Sequence, residues 1–166
     1  MKAIETEYAG VRFRSRLEAR WAVFFDTVGI QWEYEPEAFR LSDGSGYLPD
    51  FRLLEPSCIQ GMPFFTEVKP EGDAFVKARQ ASREMGREFI LLAGPPTEGI
   101  GARLTRHPEG HECGDAGWCA GAGCCDDCAD DEIFFFGRKL LADSSGGNWD
   151  AAVARVRAHR FWEPRA

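Results

Sequence analysis

The sequence predicts an α/β fold: a mixed central β-sheet flanked by helices, carrying a small cysteine-rich insertion. Three observations predict it. An early stretch repeats apolar residues at helical spacing; several short apolar runs follow, separated by turn residues; and a second helical pattern leads into a brief, almost wholly apolar run of the kind a central strand needs. Helix, hairpin-linked strands, helix and strand is the order of an α/β sandwich.

The first element is a helix over Ser15–Val28. Leu17, Trp21, Phe24, Phe25 and Val28 form one apolar stripe, with Ser15 as N-cap and Gly29 as stop. Extended runs follow at Gln31–Glu35, Ala38–Leu41, Tyr47–Leu54 and Pro63–Lys69. SDGSG at 42–46 reads as a tight turn and 55–63 as a looser connection. A second helix spans Asp73 to about Met85, ends at Gly86, and carries Lys77, Arg79, Arg83 and Arg87 on its polar face. Glu88–Ala93 is the buried central strand, and GPPTEG at 94–99 breaks the chain. Near the end, Ile133–Phe136 reads as a strand, SSGGN at 144–148 as a turn, and Trp149–Phe161 as a helix bearing Arg155, Arg157 and Arg160. The expected organisation is a core over 1–98, a cysteine-rich insertion over 99–132, and a strand and helix over 133–166 that complete the same domain.

A chain of 166 residues fits one domain, and 44% hydrophobic residues with 13 Phe and 5 Trp can fill a core. No apolar run approaches the ~20 residues of a membrane span, and the N-terminal MKAIETEYAG lacks a signal peptide's apolar stretch. A soluble, cytoplasmic protein with no membrane partner is the expectation. The net charge of −7 opposes a polyanionic partner until it is located. Eight acidic residues and no Lys or Arg lie between Glu109 and Glu132; elsewhere 19 acidic residues face 20 basic ones. Local patches steer a polyanion more than the total does.

Two strand segments carry charge where strands favour apolar residues. Asp50 follows a proline between Leu48 and Phe51. Glu67 and Lys69 are two apart and share one face of a strand, while Val68 points to the other. Carboxylates and a lysine on neighbouring strand ends are costly to desolvate without a purpose. A divalent cation supplies one, since Mg2+ binds through one or two carboxylates plus water and substrate phosphate. A same-face surface ion pair is the alternative for Glu67 and Lys69, weakened by the apolar Phe64-Phe65 before them, and Ser15-x-x-Glu18 also reads as a capping box.

At these residues the chain resembles the PD-(D/E)XK nuclease superfamily, the restriction-endonuclease-like fold with an α-β-β-β-α-β core. The signature is Pro49-Asp50 followed by Glu67-Val68-Lys69, and Ser15-Arg-Leu-Glu-Ala-Arg-Trp21 resembles the family's first core helix; the likeness covers roughly residues 11–93. The resemblance implies a metal-dependent deoxyribonuclease with Glu18, Asp50, Glu67 and Lys69 as its catalytic set. Asp50, Glu67 and the Val68 carbonyl would hold Mg2+ or Mn2+, Glu18 would add a carboxylate, and Lys69 would orient the water that attacks a phosphodiester. It also implies phosphate contacts from the second helix, at Lys77, Arg79 and Gln80; Arg14 and Arg83 are further candidates for DNA contact. Standalone cores of this kind are common in phages and mobile elements, and a homodimer or protein partner would suit so small a cutter. The competing reading is a catalytically inactive nucleic-acid-binding or assembly module that uses the cysteine segment as a partner surface.

Five of six cysteines cluster in the acidic segment, with Cys58 apart. In a cytosolic chain this favours a metal over disulfides. Cys113, Cys119, Cys125 and Cys128 are the preferred ligands of a structural Zn2+, with Cys124 or His111 as substitutes; an iron–sulfur cluster and free thiols are the rivals. The surrounding carboxylates make this segment a poor DNA-facing surface.

Overall fold

A computed structural model describes residues 3–54, 64–70, 75–87, 89–97, 101–104 and 149–161. The chain opens with an antiparallel hairpin, β1 (Thr6–Tyr8) and β2 (Val11–Phe13). Its two-residue turn, Ala9-Gly10, has φ of 50° and 77°. Positive φ at both positions matches the twist of the strands it joins. Nothing in the residue pattern over 6–13 predicts this hairpin.

Helix α1 (Arg16–Val28) begins at Ser15, whose side chain accepts the Glu18 N–H, and ends at Gly29 in the left-handed region. There the Gly29 N–H reaches Asp26 O and the Ile30 N–H reaches Phe25 O at 2.9 Å, which satisfies two of the last carbonyls. The buried face is wider than the stripe read from sequence, because Ala19, Ala22 and Val23 are enclosed as well. The reason is tertiary. The helix packs against the sheet and also against α3 (Trp149–Ala158), which contributes Ala152 and Val156 to the same core.

The strands are β3 (Trp32–Tyr34), β4 (Phe39–Arg40), β5 (Gly46–Tyr47), β6 (Phe51–Leu53), β7 (Phe64–Lys69), β8 (Phe89–Ala93) and β9 (Gly101–Leu104), with α2 (Val76–Met85) between β7 and β8. Among the described residues the main sheet has the order β3-β6-β7-β8-β9, with β7 and β8 parallel and the other pairs antiparallel. Parallel neighbours need a crossover, and α2 lies in it. The small hairpin β4–β5 forms a separate ladder.

Alternation along the strands divides the interior in two. Phe51, Leu53, Phe64, Val68, Ile90 and Leu92 pack with α1 and α3, whereas Phe65, Phe89 and Leu91 pack with Phe75, Ala78 and Ala81 beside Leu41 and Tyr47. Helices therefore cover both faces of a mixed sheet. Each fully buried Phe stabilises the fold by roughly 1.5–3 kcal/mol, so both layers are substantial.

Three expectations change. The run 47–54 is not one strand: β5 ends at Tyr47 and β6 starts at Phe51. Pro49 has no N–H to give a ladder and restricts the residue before it, so the chain turns from one sheet into another. The second helix begins at Val76 rather than near Asp73, with Phe75 at φ 50° and no side-chain cap. Burying the Phe75 ring outweighs the roughly 1–2 kcal/mol that a left-handed residue costs. Finally, 101–104, read as part of the cysteine-rich stretch, pairs with β8 as the edge of the main sheet. Residues 71–74, 133–136 and 144–148 lie outside the described residues. Among the described residues no helix is long and apolar enough to cross a membrane.

Candidate active site

The antiparallel ladder between β6 and β7 ends at Phe51 opposite Thr66, one step before Asp50 and Glu67 would pair. Asp50 completes it differently. Its carbonyl accepts the Glu35 N–H at 2.9 Å, extending the β3 side, and its Oδ2 accepts the Val68 N–H at 2.7 Å. A side chain thus replaces a backbone acceptor at the strand end, and Asp50 is held with only 1% exposure. Because paired residues in a ladder present N–H and C=O to the same side, the Val68 carbonyl faces Asp50 too.

Glu67 and Lys69 leave β7 on the face opposite Val68. Lys69 Nζ lies 2.5 Å from Glu67 Oε1, 3.8 Å from Asp50 Oδ2 and 3.4 Å from the Val68 carbonyl oxygen. The backbone beneath is fixed from the other edge: the Gly94 N–H reaches Lys69 O at 2.9 Å, and Trp21 Nε1 donates to Gly94 O at 3.0 Å. A core indole on α1 therefore helps set where the lysine starts.

Glu18 projects from the first turn of α1 and is buried. Its Oε1 accepts from Ser15 Oγ at 2.7 Å, and its Oε2 accepts from Tyr34 Oη at 2.5 Å. Tyr34 Oη in turn accepts the Arg14 N–H at 3.0 Å. Ser15 therefore caps the helix through the Glu18 N–H, and the Glu18 carboxylate takes the Ser15 hydroxyl rather than the Ser15 N–H of a full capping box. The same carboxylate also acts on the site electrostatically, raising the proton affinity of Asp50. Arg14 joins from the start of α1, with Nη2 3.0 Å from Asp50 Oδ1 and Nε 2.5 Å from Glu35 Oε1.

Two buried carboxylates, Asp50 and Glu67, thus pair with one lysine, and the buried Glu18 acts on it through its charge. Burial first, then the Glu67 charge, pushes Asp50 up to about 7, with Lys69 opposing and Glu18 adding to the rise. Burial pulls Lys69 down, but Asp50, Glu67 and Glu18 outweigh it and hold the ammonium above its ordinary value. Burial and Glu67 raise Tyr47, while burial and Glu18 raise Tyr34, so both phenols remain proton donors.

This donor set fits Mg2+. Among the described residues no three His, Cys, Asp or Glu side chains form a cage by themselves. Asp50 and Glu67, with the Val68 carbonyl between them, are the one or two carboxylates and hard oxygens that Mg2+ uses when water and substrate complete its shell. Asp50 is raised first by burial and only then by the Glu67 charge, and a divalent cation would favour its ionised form against both.

Two tyrosines and one glutamate complete the site without being predictable from sequence. Tyr47 Oη donates to Glu67 Oε2 at 2.8 Å, Tyr34 grips Glu18, and Glu35 anchors Arg14. A tyrosine in an apolar strand and a glutamate at a strand end are each too common in a sequence to be singled out.

The α2 candidates are arranged differently from the site residues. Lys77 is exposed, with Nζ 3.5 Å from Gly46 O beside Tyr47. Arg83 is exposed and its Nε reaches Arg79 O at 3.4 Å; Arg79 is partly buried. Gln80 donates to Glu84 Oε1 at 3.0 Å, and Glu84 accepts both the N–H and Oγ of Ser42. Gln80 therefore belongs to the tie between α2 and the β4–β5 turn. His111 and Cys58, Cys113, Cys119, Cys124, Cys125 and Cys128 lie outside the described residues, so the zinc reading stays an expectation. Comparison of the chain with family models, curated proteins and solved structures finds no match.

Proposed function

We propose that this protein is a metal-dependent nuclease of the PD-(D/E)XK type, hydrolysing phosphodiester bonds in DNA. The observation that carries the reading is the meeting of Asp50, Glu67 and Lys69 at adjacent strand ends, with Lys69 Nζ 2.5 Å from Glu67 and 3.8 Å from Asp50. The helix, hairpin, helix and strand order around them is the order that family uses. Asp50, Glu67 and the Val68 carbonyl would hold Mg2+ or Mn2+, and Glu18 would add negative charge behind them. When bound, the cation supplies Lewis-acid stabilisation of the phosphate and a more acidic water.

The chain's own groups do the rest. Lys69 keeps its proton because its neighbours are carboxylates, so it orients the attacking water and offsets charge on the phosphate rather than acting as a base. Tyr47 and Tyr34 hold Glu67 and Glu18 in single orientations. Arg14, paired with Asp50, and Lys77, beside Tyr47, would contact the DNA backbone, and the cysteines would hold a structural Zn2+.

Cleavage of linear, branched and single-stranded DNA with Mg2+ or Mn2+ tests the reading. Lys69→Ala and Asp50→Ala should each lower the rate by about a hundredfold or more, the scale of losing one preorganised transition-state contact. A wild type that cuts none of these substrates, or variants that cut as fast as it does, would make the protein a binding module instead.

A further inference from the structure

Arg14 sits on the oxygen that a metal would need. Its Nη2 is 3.0 Å from Asp50 Oδ1, while Asp50 Oδ2 is engaged by the Val68 N–H at 2.7 Å and by the Lys69 ammonium at 3.8 Å. Both oxygens of an almost fully enclosed carboxylate are thus taken. The two ends of the Arg14–Asp50 pair differ in access, since the Arg14 side chain is 55% exposed and that of Asp50 1%. A guanidinium and a divalent cation on the same oxygen repel, so one must yield. Arg14 has somewhere to go. Its Nε forms an ion pair with Glu35 Oε1 at 2.5 Å, a charge contact without hydrogen-bond geometry, and lies nearer the stem than Nη2, so the outer nitrogens can swing while the inner ion pair stays. The planar fork of an arginine also suits a phosphate, which it binds through two parallel hydrogen bonds.

We propose that Arg14 is a substrate-sensitive gate on the metal site: a DNA phosphate draws its guanidinium off Asp50, which frees Oδ1 for the metal, so that DNA and metal bind cooperatively. This rests on the nuclease reading above and adds an order of assembly to it. By linkage the effect is reciprocal, and metal raises DNA affinity by the same factor.

Mn2+ binding, read from the paramagnetic signal of free Mn2+, tests the gate with and without a short phosphorothioate DNA duplex that resists hydrolysis. The duplex should raise the Mn2+ affinity of wild type by about tenfold. Arg14→Gln should bind Mn2+ more tightly without DNA, and the duplex should then add about twofold or less. Arg14→Lys keeps the charge but cannot bridge Asp50 and Glu35, so it separates occupancy from simple repulsion: occupancy predicts weakened coupling, repulsion predicts wild-type behaviour. An equal duplex effect in wild type and Arg14→Gln overturns the gate. Asp50→Asn is the control that keeps the two readings apart. Mn2+ uptake that depends on Asp50 but not on Arg14 removes the gate alone, whereas no Asp50-dependent uptake in any protein removes the nuclease reading with it.

Discussion

Tyr47 Oη lies 2.8 Å from Glu67 Oε2, while the other oxygen of that carboxylate meets Lys69 Nζ at 2.5 Å. The tyrosine occupies one side of the carboxylate and leaves the other to the lysine and, under the proposed function, to a metal. Tyr47→Phe removes the proton donor and keeps the ring in its core. Outer partners of metal ligands are worth about 10–100-fold in metal affinity or activity, so a loss on that scale is expected in Mg2+ titrations of the cleavage rate. Leaving a buried oxygen without its donor should also cost about 1–3 kcal/mol in urea unfolding. A variant with unchanged Mg2+ dependence would confine Tyr47 to packing.

Asp50 links stability to pH and, under the proposed function, to metal. Its folded pKa is raised from 3.8 to about 7 by burial and then by Glu67. Below about 4 it is protonated in both states and costs nothing. Between about 4 and 7 the folded chain keeps a proton that the unfolded chain has lost, so stability falls as pH rises, and above 7 the penalty is complete. A divalent cation favours the ionised form. The thermal midpoint should therefore rise more on adding Mn2+ at pH 8 than at pH 5.5, and Asp50→Asn should remove both the metal shift and this part of the pH slope. Equal Mn2+ shifts at the two pH values would count against Asp50 as a ligand.

Glu18 bonds Ser15 within the helix cap and Tyr34 beside the site, and two substitutions separate these roles. Ser15→Ala should cost about 1 kcal/mol of stability, the usual worth of an N-cap, with little change in cleavage rate. Glu18→Gln retains a residue that serves in a capping box but loses the charge. It should unfold near the wild-type midpoint and cut about tenfold more slowly or worse, the lower end for an outer-shell group. If Glu18→Gln cuts at full rate, the residue is a cap and nothing more.

The β1–β2 turn holds Ala9 at φ 50°, where an ordinary side chain is disfavoured. Asn-Gly is the preferred pair for a turn with two positive φ values. Ala9→Asn should raise stability by about 0.5–1 kcal/mol in chemical unfolding, with DNA cleavage unaffected. A neutral or destabilising result would mean that the turn is not strained in solution.

The sequence by itself determined the elements whose cause is local. Helix α1 follows from the spacing of Trp21, Phe24, Phe25 and Val28, the Ser15 cap and the Gly29 stop; β8 follows from an apolar run too short for a helix. It also determined that Glu67 and Lys69 share a face, since strand alternation requires it. What had no local cause was not legible. The strand break after Tyr47 needed Pro49 to be seen between two sheets, Phe75 adopts a left-handed backbone because the core claims its ring, and β9 forms only because β8 offers an edge.

The site divides along the same line. Sequence placed Asp50, Glu67 and Lys69 at strand ends, but only the tertiary structure brought Asp50 onto the Val68 N–H, gave Glu67 and Glu18 their tyrosines, and set Arg14 between Asp50 and Glu35. Those contacts join residues 16 to 36 positions apart. Hydrogen bonds and ion pairs reach only about 3–4 Å, and which polar atoms come that close is decided by how layers pack, not by any periodicity in the chain.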